Sequence, residues 1–512
     1  MYRIFTLQLQ FLLVLLPFAL SAQVLPKDRS ELNYRLIGFS FPSKNKTVNY
    51  TLEIAKGNYE SEASFKKNII KSIPGATNKI IAEVPSFGSQ YTWCAVYTVS
   101  DARETATKLF HFSTGYIPEV DTGVARLRIT RPASEYSDAY VFLDDYKTLY
   151  DMNGNPVWYL PEIEGGKITP RDLKLSPQGT ITFMYDPPYE INYNGAVLWK
   201  APAKSSPNKE GREIFHHEFT RLSNGHYMAL GEDSAAWARG GSSSKNRRGR
   251  SKINGTDNNP GKKTLFGTLI EYDEQGNIVW KWNSSDYFAT SDIRYFVPPN
   301  GVQDIDVHEN SFYFDEKSNN LYVSFRNINR VLKVKYPEGN VIAAYGEKYR
   351  RGGKKTGISL FCGQHACKLS ENGQLYLFNN NSCNATGLPG VVMMKEPGAA
   401  NEGLKKVWEY ECTMEGFEND KPLNSFLAGG NVEELPDHSL LVCMSGDYCK
   451  IFIVSPDKQI LWSAIPEWKN ATTKSWRPIT QYRASIIKSR KEMERLIWNA
   501  ESHTPLPVAV QL

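Results

Sequence analysis

One pattern recurs along the chain from residue 120 onward, and it constrains the fold more than any other feature. Each copy starts with an aspartate or a turn, continues through a glycine or another residue at the same position, and ends in apolar residues often followed by tryptophan. An apolar strand and a second turn motif precede most copies, so each unit supplies four strands. The six copies end at Trp158, Trp199, Trp280, Tyr345, Trp408 and Trp462. Four strands repeated six times predict an all-β fold, namely a six-bladed β-propeller.

The second motif is a short polar turn with an apolar strand after it. It occurs at 175–179, 222–225, 314–320, 369–373 and 435–438. An array of β-sandwiches and a β-helix are the alternatives to a propeller. The uneven spacing of the copies disfavours a β-helix, which repeats at a short constant period.

A different pattern precedes the repeats. Residues from about 30 to 118 contain short alternating strands separated by turns, which predicts a small immunoglobulin-like or fibronectin-like β-sandwich over 25–118. The propeller is expected over 123–490 and a C-terminal tail over 491–512. Residues 484–499 fit an amphipathic helix, and they fit the start of a closing strand equally well.

The N-terminus has the pattern of a secretory signal peptide, expected over 1–22. A basic residue, Arg3, precedes the apolar run Phe11–Leu20, and the small residues Ser21 and Ala22 follow it. An uncleaved anchor is the alternative, although the run is short for a membrane span. No later segment is apolar for eighteen residues, so a soluble, periplasmic or secreted protein is expected. The net charge of +5 is too small to indicate a nucleic-acid partner.

Export makes disulfides a realistic expectation. The chain has seven cysteines, and because this number is odd, at least one is free or bonded to another chain. Cys443 and Cys449 flank a short turn between apolar runs, and they are the predicted pair. Cys362, Cys367 and Cys383 crowd one region, and the sequence leaves their partners open.

Three of the eight histidines occupy matching places in the repeats. His217 and His365 each lie eight residues before the glycine of a turn, and His308 fits once its longer turn is allowed for. The register favours His217 over its neighbour His216. Equivalent positions on the inner strands of a propeller face the central channel, so these histidines are expected to converge there. Any one of them alone is more often a structural histidine.

Two further polar residues extend this constellation. Arg326 ends the strand that pairs with the strand of His308, and Asn310 shares a strand face with His308. Their side chains supply donors for a tetrahedral oxyanion, which a guanidinium contacts in a forked geometry. The alternative for Arg326 is an ordinary salt bridge. By the same register, Glu232 and Asn380 are its counterparts in other repeats.

The repeat spacing widens between Trp199 and Trp280. Residues 234–264 there are rich in Gly, Ser, Asn and basic residues. They are expected to form a solvated loop, and the alternative is a cationic lid that attracts an anionic substrate.

Taken together, these segments resemble the bacterial arylsulfate sulfotransferase family. The resemblance rests on 216–225, on Val307–Ser311 with Ser324–Arg326, and on Gly363–His365, and it extends over the propeller. The family joins an N-terminal β-sandwich to a six-bladed propeller. It implies a phenolic sulfate ester as donor, a phenol as acceptor, and neither a nucleotide donor nor any other cofactor. It also suggests a dimer formed through the N-terminal domain.

The resemblance also implies roles for individual residues. His365 would attack the sulfur and form a sulfohistidine, from which a second phenol takes the group in a ping-pong reaction. His308, Arg326 and Asn310 would bind the sulfuryl oxygens. His217 would contact the group and shuttle the phenol proton, and the adjacent His216 is included among the substrate-binding residues.

The chain departs from the family pattern at Glu218, where an aspartate is expected after the histidine, and at the cysteines on either side of His365. Two other hypotheses remain open at this point. Three histidines around one axis are able to ligate a divalent metal, although a fixed cation at Arg326 is unfavourable beside one. A propeller that only binds a glycan or a partner is the second.

Overall fold

The computed structural model describes residues 24–44, 47–99, 104–202, 214–235, 264–288, 291, 305–350, 354–356, 359–384, 387–398, 403–417 and 428–500. Two compact units are present. One comprises Leu36–Thr114 with the segment that ends at Leu32, and the other comprises Asn33–Arg35 with the chain from Gly115 onward. The predicted signal peptide and most of the predicted basic insertion, residues 236–263, lie outside the described ranges.

The first unit consists of two β-sheets and one short helix. Its elements are β1 (Ser30–Leu32), β2 (Leu36–Ser40), β3 (Thr47–Lys56), α1 (Glu62–Lys67), β4 (Ile69–Gly75), β5 (Lys79–Glu83), β6 (Ser89–Val99), β7 (Glu104–Ala106) and β8 (Phe110–Thr114). The larger sheet has the order β1-β8-β6-β3-β4 with β7 paired to β6, and the smaller sheet pairs β2 with β5. Phe39 of the smaller sheet contacts Trp93 and Phe112 of the larger one, edge to face, in a shared aromatic core.

The second unit is built almost entirely from short strands, with two short 3-10 turns at Pro118–Val120 and Ser134–Tyr136. Its first half contains β9 (Ala125–Arg131), β10 (Tyr140–Leu143), β11 (Thr148–Asp151), β12 (Pro156–Tyr159), β13 (Arg171–Leu175), β14 (Ile181–Met184), β15 (Tyr189–Ile191), β16 (Val197–Lys200), β17 (Phe215–Arg221), β18 (Tyr227–Ala235), β19 (Thr264–Tyr272), β20 (Ile278–Asn283), α2 (Ser284–Phe288) and β21 (Ile305–Asp306).

The second half of this unit continues the same alternation of strands and turns and ends in a helix. It contains β22 (Glu309–Asp315), β23 (Asn320–Phe325), β24 (Arg330–Lys335), β25 (Val341–Gly346), β26 (Lys348–Arg350), β27 (Lys354–Thr356), β28 (His365–Leu369), β29 (Leu375–Asn379), β30 (Gly390–Lys395), β31 (Lys405–Glu411), β32 (Asn431–Glu434), β33 (Leu440–Met444), β34 (Lys450–Val454), β35 (Ile460–Lys469), β36 (Trp476–Pro478), β37 (Ala484–Ile487) and α3 (Arg490–Asn499).

These strands form successive antiparallel sheets, here numbered in chain order. Sheet 1 has the order β12-β11-β10-β37, sheet 2 is β13-β14-β15-β16, and sheet 3 is β17-β18-β19-β20 with β21 on β19. Sheet 4 is β22-β23-β24-β25, sheet 5 is β28-β29-β30-β31, and sheet 6 is β32-β33-β34-β35-β36 with β9 on β35. The predicted all-β repeat of four strands is confirmed, since the turn motif joins the first two strands of sheets 2 to 6 and the aromatic residue ends the pattern in the outer strand.

The innermost strands of these sheets form a closed ring. They contact one another in the order β37, β13, β17, β22, β28 and β32, and the ring closes where β33 meets β37. This arrangement is consistent with a β-propeller, in which the first strand of each sheet lines a central channel. The residues just before or at the start of the inner strands are therefore the ones that face the channel.

Side chains on the inner strands, together with Asp144 at the end of β10, carry hydrogen bonds from one sheet to the next. Each of these side chains is buried and accepts a hydrogen bond from a backbone N–H of the following sheet. Without it, that buried N–H would have no partner. The pairs are Asp172 N to Asp144 (2.8 Å), Phe219 N to Asp172 (3.2 Å), Phe312 N to Glu218 (3.1 Å) and Cys367 N to Ser311 (3.2 Å). These bonds set the register between neighbouring sheets.

The segment after residue 483 contains both of its predicted alternatives. Ala484–Ile487 is the closing strand β37, which pairs with β10 and completes sheet 1, and Arg490–Asn499 is the helix α3. Ser489 caps that helix by accepting a hydrogen bond from the amide of Glu492. In the described residues, no helix has the length and apolar character needed to cross a membrane.

The predicted pairing of Cys443 with Cys449 is wrong, because both residues are buried free thiols. Cys443 lies opposite Ile451 across β33 and β34, so Cys449 occupies the diagonal position two residues away. The two thiols are close enough to interact, since a hydrogen bond with Cys449 is the first cause that raises the pKa of the Cys443 thiol, but no disulfide joins them. The disulfide that forms joins Cys362 to Cys383, with a Cα–Cα distance of 5.9 Å.

Asn431 fixes the closing strand, and its replacement tests that closure. Its amide donates to the carbonyl of Ala484 at 2.7 Å and accepts from the amide of the same residue at 3.0 Å. Asn431→Leu leaves both backbone groups buried and unpaired, so we expect the free energy of unfolding to fall by about 3 kcal/mol. Urea unfolding measures it, with the exposed Asn372→Leu as control, and equal stability of the two variants would contradict this role.

Candidate active site

His217 and His308 sit on distorted backbone at neighbouring inner strands. The pairing of β17 shifts between Phe215 and Phe219, and His217 and His308 have φ values of 60° and 54°. Non-glycine residues adopt this region at a cost of about 1–3 kcal/mol, and bulges of this kind re-aim side chains. Their rings meet edge to face with centroids 4.9 Å apart.

His216 and His217 form a hydrogen-bonded pair with a defined tautomer. Nε2 of His216 lies 3.2 Å from the carbonyl oxygen of Gly231, and its Nδ1 lies 2.8 Å from Nδ1 of His217. Because a carbonyl only accepts, His216 carries its hydrogen on Nε2 and accepts from His217 at Nδ1. His217 therefore keeps the lone pair of Nε2. Burial lowers the pKa of His216 to about 4 and that of His217 well below its ordinary value, so both are neutral at pH 7.

His308 is held by Asp306. The carboxylate accepts from the backbone amide of His308 at 2.6 Å and from its Nδ1 at 3.0 Å, which turns Nε2 away from the acid. Burial raises the pKa of Asp306, but the hydrogen bond and charge of His308 outweigh it and the pKa is lowered overall. The backbone amide of Arg326 donates to the carbonyl of His308 at 2.9 Å, so these two predicted residues are adjacent.

His365 begins β28 and is 1% exposed. Its Nδ1 lies 2.6 Å from Oδ1 of Asn380, whose own amide donates to the carbonyl of Gly429 at 3.1 Å. That second bond orients Asn380 so that oxygen faces the imidazole, which places the hydrogen of His365 on Nδ1 and the lone pair on Nε2. The backbone amide of Gly429 donates a hydrogen bond to Nε2 at 3.3 Å, which confirms that Nε2 is the acceptor nitrogen.

The electrostatics of the site keep His365 uncharged. Burial is the main cause that lowers its pKa to about 3, and the positive charges of Arg326 and Arg483 add to the effect. The hydrogen bond that His365 donates to Asn380 raises the pKa of His365, but by less than burial lowers it. An imidazole that stays neutral keeps its lone pair available as a nucleophile.

Asn310 has a different place from the one expected for it. It is fully buried, and its amide donates to the backbone carbonyl of Gln364 at 2.7 Å. Its donor hydrogen bond therefore goes to the segment that carries His365. The structure brings His216, His217, His308, Arg326 and His365 to the inner ends of sheets 3, 4 and 5, and Asn310 supports that group through the backbone.

Tyr482 is a site residue that sequence reasoning missed. Its ring lies 6.1 Å from that of His217 and 6.5 Å from that of His365, and Arg171 covers it at 4.8 Å. The hydroxyl is buried with no hydrogen-bond partner among the described residues, and burial raises the pKa of Tyr482 to about 12, so it remains a donor. The only signal was its position just before the closing strand.

Within the described residues, no group of three His, Cys, Asp or Glu side chains is arranged to hold a metal ion. The site combines the neutral imidazoles of His216, His217 and His365 with His308 and the guanidinium of Arg326.

A ring of antiparallel β-sheets, most of them four-stranded, with histidines and arginines at its inner strands defines the class of this protein, an all-β, propeller-like fold. Residues 137–400 match the model of the family described as Arylsulfotransferase (ASST), more than half of the chain. The chain belongs to this family. Membership implies sulfotransferase activity toward small-molecule substrates.

Two solved structures illustrate the wider likeness. A protein of unknown function from Bacteroides caccae is 12% identical, with a TM-score of 0.40, over 68% of this chain and 98% of that chain. Hydrazine synthase from Kuenenia stuttgartiensis is 9% identical, with a TM-score of 0.35, over 72% of this chain and 99% of that chain. A search of curated proteins found no match.

The low pKa values of the buried histidines predict a loss of stability in acid. Below about pH 6.5 the unfolded chain binds protons at these histidines, while the folded chain resists them until about pH 4 for His216 and about pH 3 for His365. Stability therefore falls as the pH falls, by about 2 kcal/mol for each between pH 6.5 and 5.

His365→Gln is expected to flatten this fall, as measured by urea unfolding at several pH values. The control is His438→Gln, which removes an exposed histidine whose pKa is raised by its hydrogen bond to Glu434. The hydrogen bond to Glu434 stabilises the folded protein in acid, so its loss steepens the fall. A flattening by the control alone would contradict the assignment.

Proposed function

We propose that this protein transfers a sulfuryl group from a phenolic sulfate ester to a phenol by a ping-pong reaction, with His365 as nucleophile and no nucleotide donor. The observation that carries the proposal is the fixed tautomer of His365, whose Nδ1–H is held by Asn380 and whose Nε2 bears the lone pair. Membership of the arylsulfotransferase family supports the reaction class.

The same proposal includes the architecture that presents this histidine. The ring of inner strands in the second unit supports a six-bladed β-propeller, and the two facing sheets of the first unit support an immunoglobulin-like sandwich. In a propeller the inner strands converge on one axis. That convergence is how residues from sheets 3, 4 and 5 reach one substrate.

In the first half-reaction, the lone pair on Nε2 of His365 attacks sulfur and the bond between sulfur and the aryl oxygen breaks. The phenolate leaves with the electron pair, and the imidazole becomes a cationic N-sulfo ring that retains Nδ1–H. The hydrogen bond to Asn380 strengthens as positive charge grows on the ring. Because asparagine is uncharged, it does not neutralise the positive charge of the N-sulfo imidazole. The imidazole of His365 therefore remains a good leaving group in the second half-reaction.

Negative charge on the sulfuryl oxygens needs donors that are already in place. Arg326 is adjacent to His308 through a backbone hydrogen bond, and the ring of Tyr482, whose hydroxyl stays protonated, lies near the rings of His217 and His365. We assign these three side chains to the sulfuryl oxygens. Because Asp306 accepts the Nδ1–H of His308, the donor that His308 offers to an oxygen is the Nε2–H of its imidazolium. Asn310 acts through the carbonyl of Gln364 and positions the strand of His365.

In the second half-reaction, an acceptor phenol attacks sulfur as His217 takes its proton at Nε2. The bond between sulfur and Nε2 of His365 breaks, and the imidazole returns to its neutral form. His216 supports the base, because the hydrogen bond between the two Nδ1 atoms strengthens when His217 becomes cationic. His216 is therefore a positioning residue in this mechanism.

The location of the protein follows from two features of the chain. The leader pattern over residues 1–22 supports export, and the Cys362–Cys383 disulfide supports an oxidising compartment. We therefore place the protein in the periplasm or outside the cell. The disulfide begins three residues before His365 and ends three after Asn380, so it braces the segments that hold the nucleophile.

The first test of the mechanism is kinetic. With 4-nitrophenyl sulfate and a phenol acceptor, we expect parallel double-reciprocal plots and a burst of 4-nitrophenol when the acceptor is omitted. His365→Ala abolishes both turnover and burst. His438→Ala, at an exposed histidine, is the control and should behave as wild type.

A burst that survives in His365→Ala would move the nucleophile elsewhere. Turnover with intersecting plots would contradict the two-step reaction. A folded protein with no turnover on several phenyl sulfates would favour a propeller that only binds its ligand.

The second test separates the two half-reactions. His217→Gln removes the proposed base, so transfer to the acceptor should slow by about 10²–10³-fold, within the range for general base catalysis. The burst of 4-nitrophenol should persist, because a nitrophenolate leaves without a proton. Single-turnover kinetics of each step measure the effect, and an equal loss in both steps would contradict the role of His217.

A further inference from the structure

A cavity opens beside the histidine cluster, and His365 is not among its lining residues. Its volume is about 140 Å³, and it is lined by His217, His308, Leu265, Phe266 and Glu309, with His216, Glu232, Gly267 and Asp306 completing the wall. A cavity of roughly 150 Å³ accommodates one benzene ring. The space is therefore suited to a single aromatic ring whose hydroxyl faces the two histidines.

Glu309 is the most unusual group in this wall. It is 2% exposed, and neither of its carboxyl oxygens has a hydrogen-bond partner among the described residues. Burial alone raises the pKa of Glu309 well above its ordinary value, so it is neutral in the empty cavity. Buried carboxyl groups without partners are rare, because each costs the full desolvation of its polar atoms.

Gly267 makes the room for this carboxyl. A Cβ at position 267 would lie 1.5 Å from Oε2 and 2.2 Å from Cδ of Glu309, so even alanine displaces the side chain. Gly267 has no positive φ that would require a glycine, and its place on β19 opposite Glu232 is ordinary extended strand. Glycine at position 267 therefore serves to leave space for the side chain of Glu309.

The charges of the wall indicate what the cavity holds. Among the described residues that line it, the titratable groups are carboxyls and histidines, with no lysine or arginine. Asp306 is paired with His308, whereas no described residue bonds the carboxyl of Glu309. An anionic sulfate ester is disfavoured beside these acids, while the arginines of the site lie toward His365.

We propose that this cavity is the acceptor subsite, and that it selects a single-ring phenol carrying a protonated amine, which Glu309 binds as the carboxylate. The assignment of the cavity to the acceptor rests on the proposed function, because His217 is the base that such a phenol would meet. The hydroxyl faces Nε2 of His217, and the ammonium replaces the missing partner of Glu309.

Binding of a cation has a consequence that a neutral ligand lacks. A carboxyl that is neutral in the empty cavity ionises when an ammonium is placed against it, so its proton passes to the buffer. Calorimetric titration in two buffers of different ionisation enthalpy measures this release. For 4-(2-aminoethyl)phenol we expect about one proton released per ligand, and for 4-ethylphenol, which has a similar shape but no charge, none.

The experiment compares these two phenols on the full-length protein and its variants. Wild type should bind the amine at least about tenfold more tightly than 4-ethylphenol, the factor expected for a buried charge-assisted hydrogen bond. Glu309→Gln and Gly267→Ala should each reduce this preference to near unity. The control is Glu338→Gln, at an exposed turn of the same sheet, which should leave the preference unchanged.

Equal binding of the two phenols by wild type, or an unchanged preference in Glu309→Gln, would overturn the proposal. Because the readout is binding, it does not depend on turnover, and His365→Ala should retain the same preference. Amine-selective binding in a protein that shows no burst with 4-nitrophenyl sulfate would support the subsite and contradict the proposed reaction. A burst of 4-nitrophenol without amine-selective binding would support the proposed reaction and contradict the subsite.

Discussion

The buried guanidinium of Arg483 is the interaction on which the centre of the second unit depends. It donates to Asp172 at 2.8 Å and to the backbone carbonyl of Asn310 at 3.0 Å, and it lies 3.7 Å from Glu218. These contacts join the closing strand of sheet 1 to sheets 2, 3 and 4. Losing one partner of a buried ion pair typically costs 3–5 kcal/mol, because it leaves the remaining charge uncompensated. The ring of inner strands is therefore closed by charge as well as by strand pairing.

The same charges shape the chemistry. The positive charge of Arg483 lowers the pKa of His365 and also that of His217. The site thus combines the fixed positive charge of arginine with the neutral imidazoles of His216, His217 and His365. Backbone strain at His217 and His308 is tolerated because the neighbouring strands hold both residues in place.

The repeat predicted much of this arrangement. Copies of one turn pattern mark corresponding strands, so the all-β fold, the four-stranded unit and the convergence of His217 and His308 follow from spacing alone. Asn380 and Glu232 were recognised as polar counterparts of Arg326, and the structure places one against His365 and the other in the cavity wall. Local periodicity carries this information because each repeat folds by the same rules.

The rest depends on geometry that spacing does not encode. Two residues at the same sequence distance from a turn glycine do not occupy equivalent positions when the strands between contain different bulges. For this reason the sequence did not show that His216 bonds His217, or that Asn310 bonds the carbonyl of Gln364. The contribution of Tyr482 and Arg483 required knowing that residue 484 begins a closing strand. The short spacing of Cys443 and Cys449 does bring their thiols together, but proximity alone does not tell whether two cysteines are bonded or free.

The central claim is that a sulfuryl group rests on Nε2 of His365 between the two half-reactions. The most direct measurement is peptide mapping by mass spectrometry of wild-type protein quenched after mixing with 4-nitrophenyl sulfate in the absence of an acceptor. The account predicts one added sulfuryl group on the peptide that contains His365, and its loss when a phenol is supplied before the quench. A label on another residue, or a label that phenol does not remove, would contradict it.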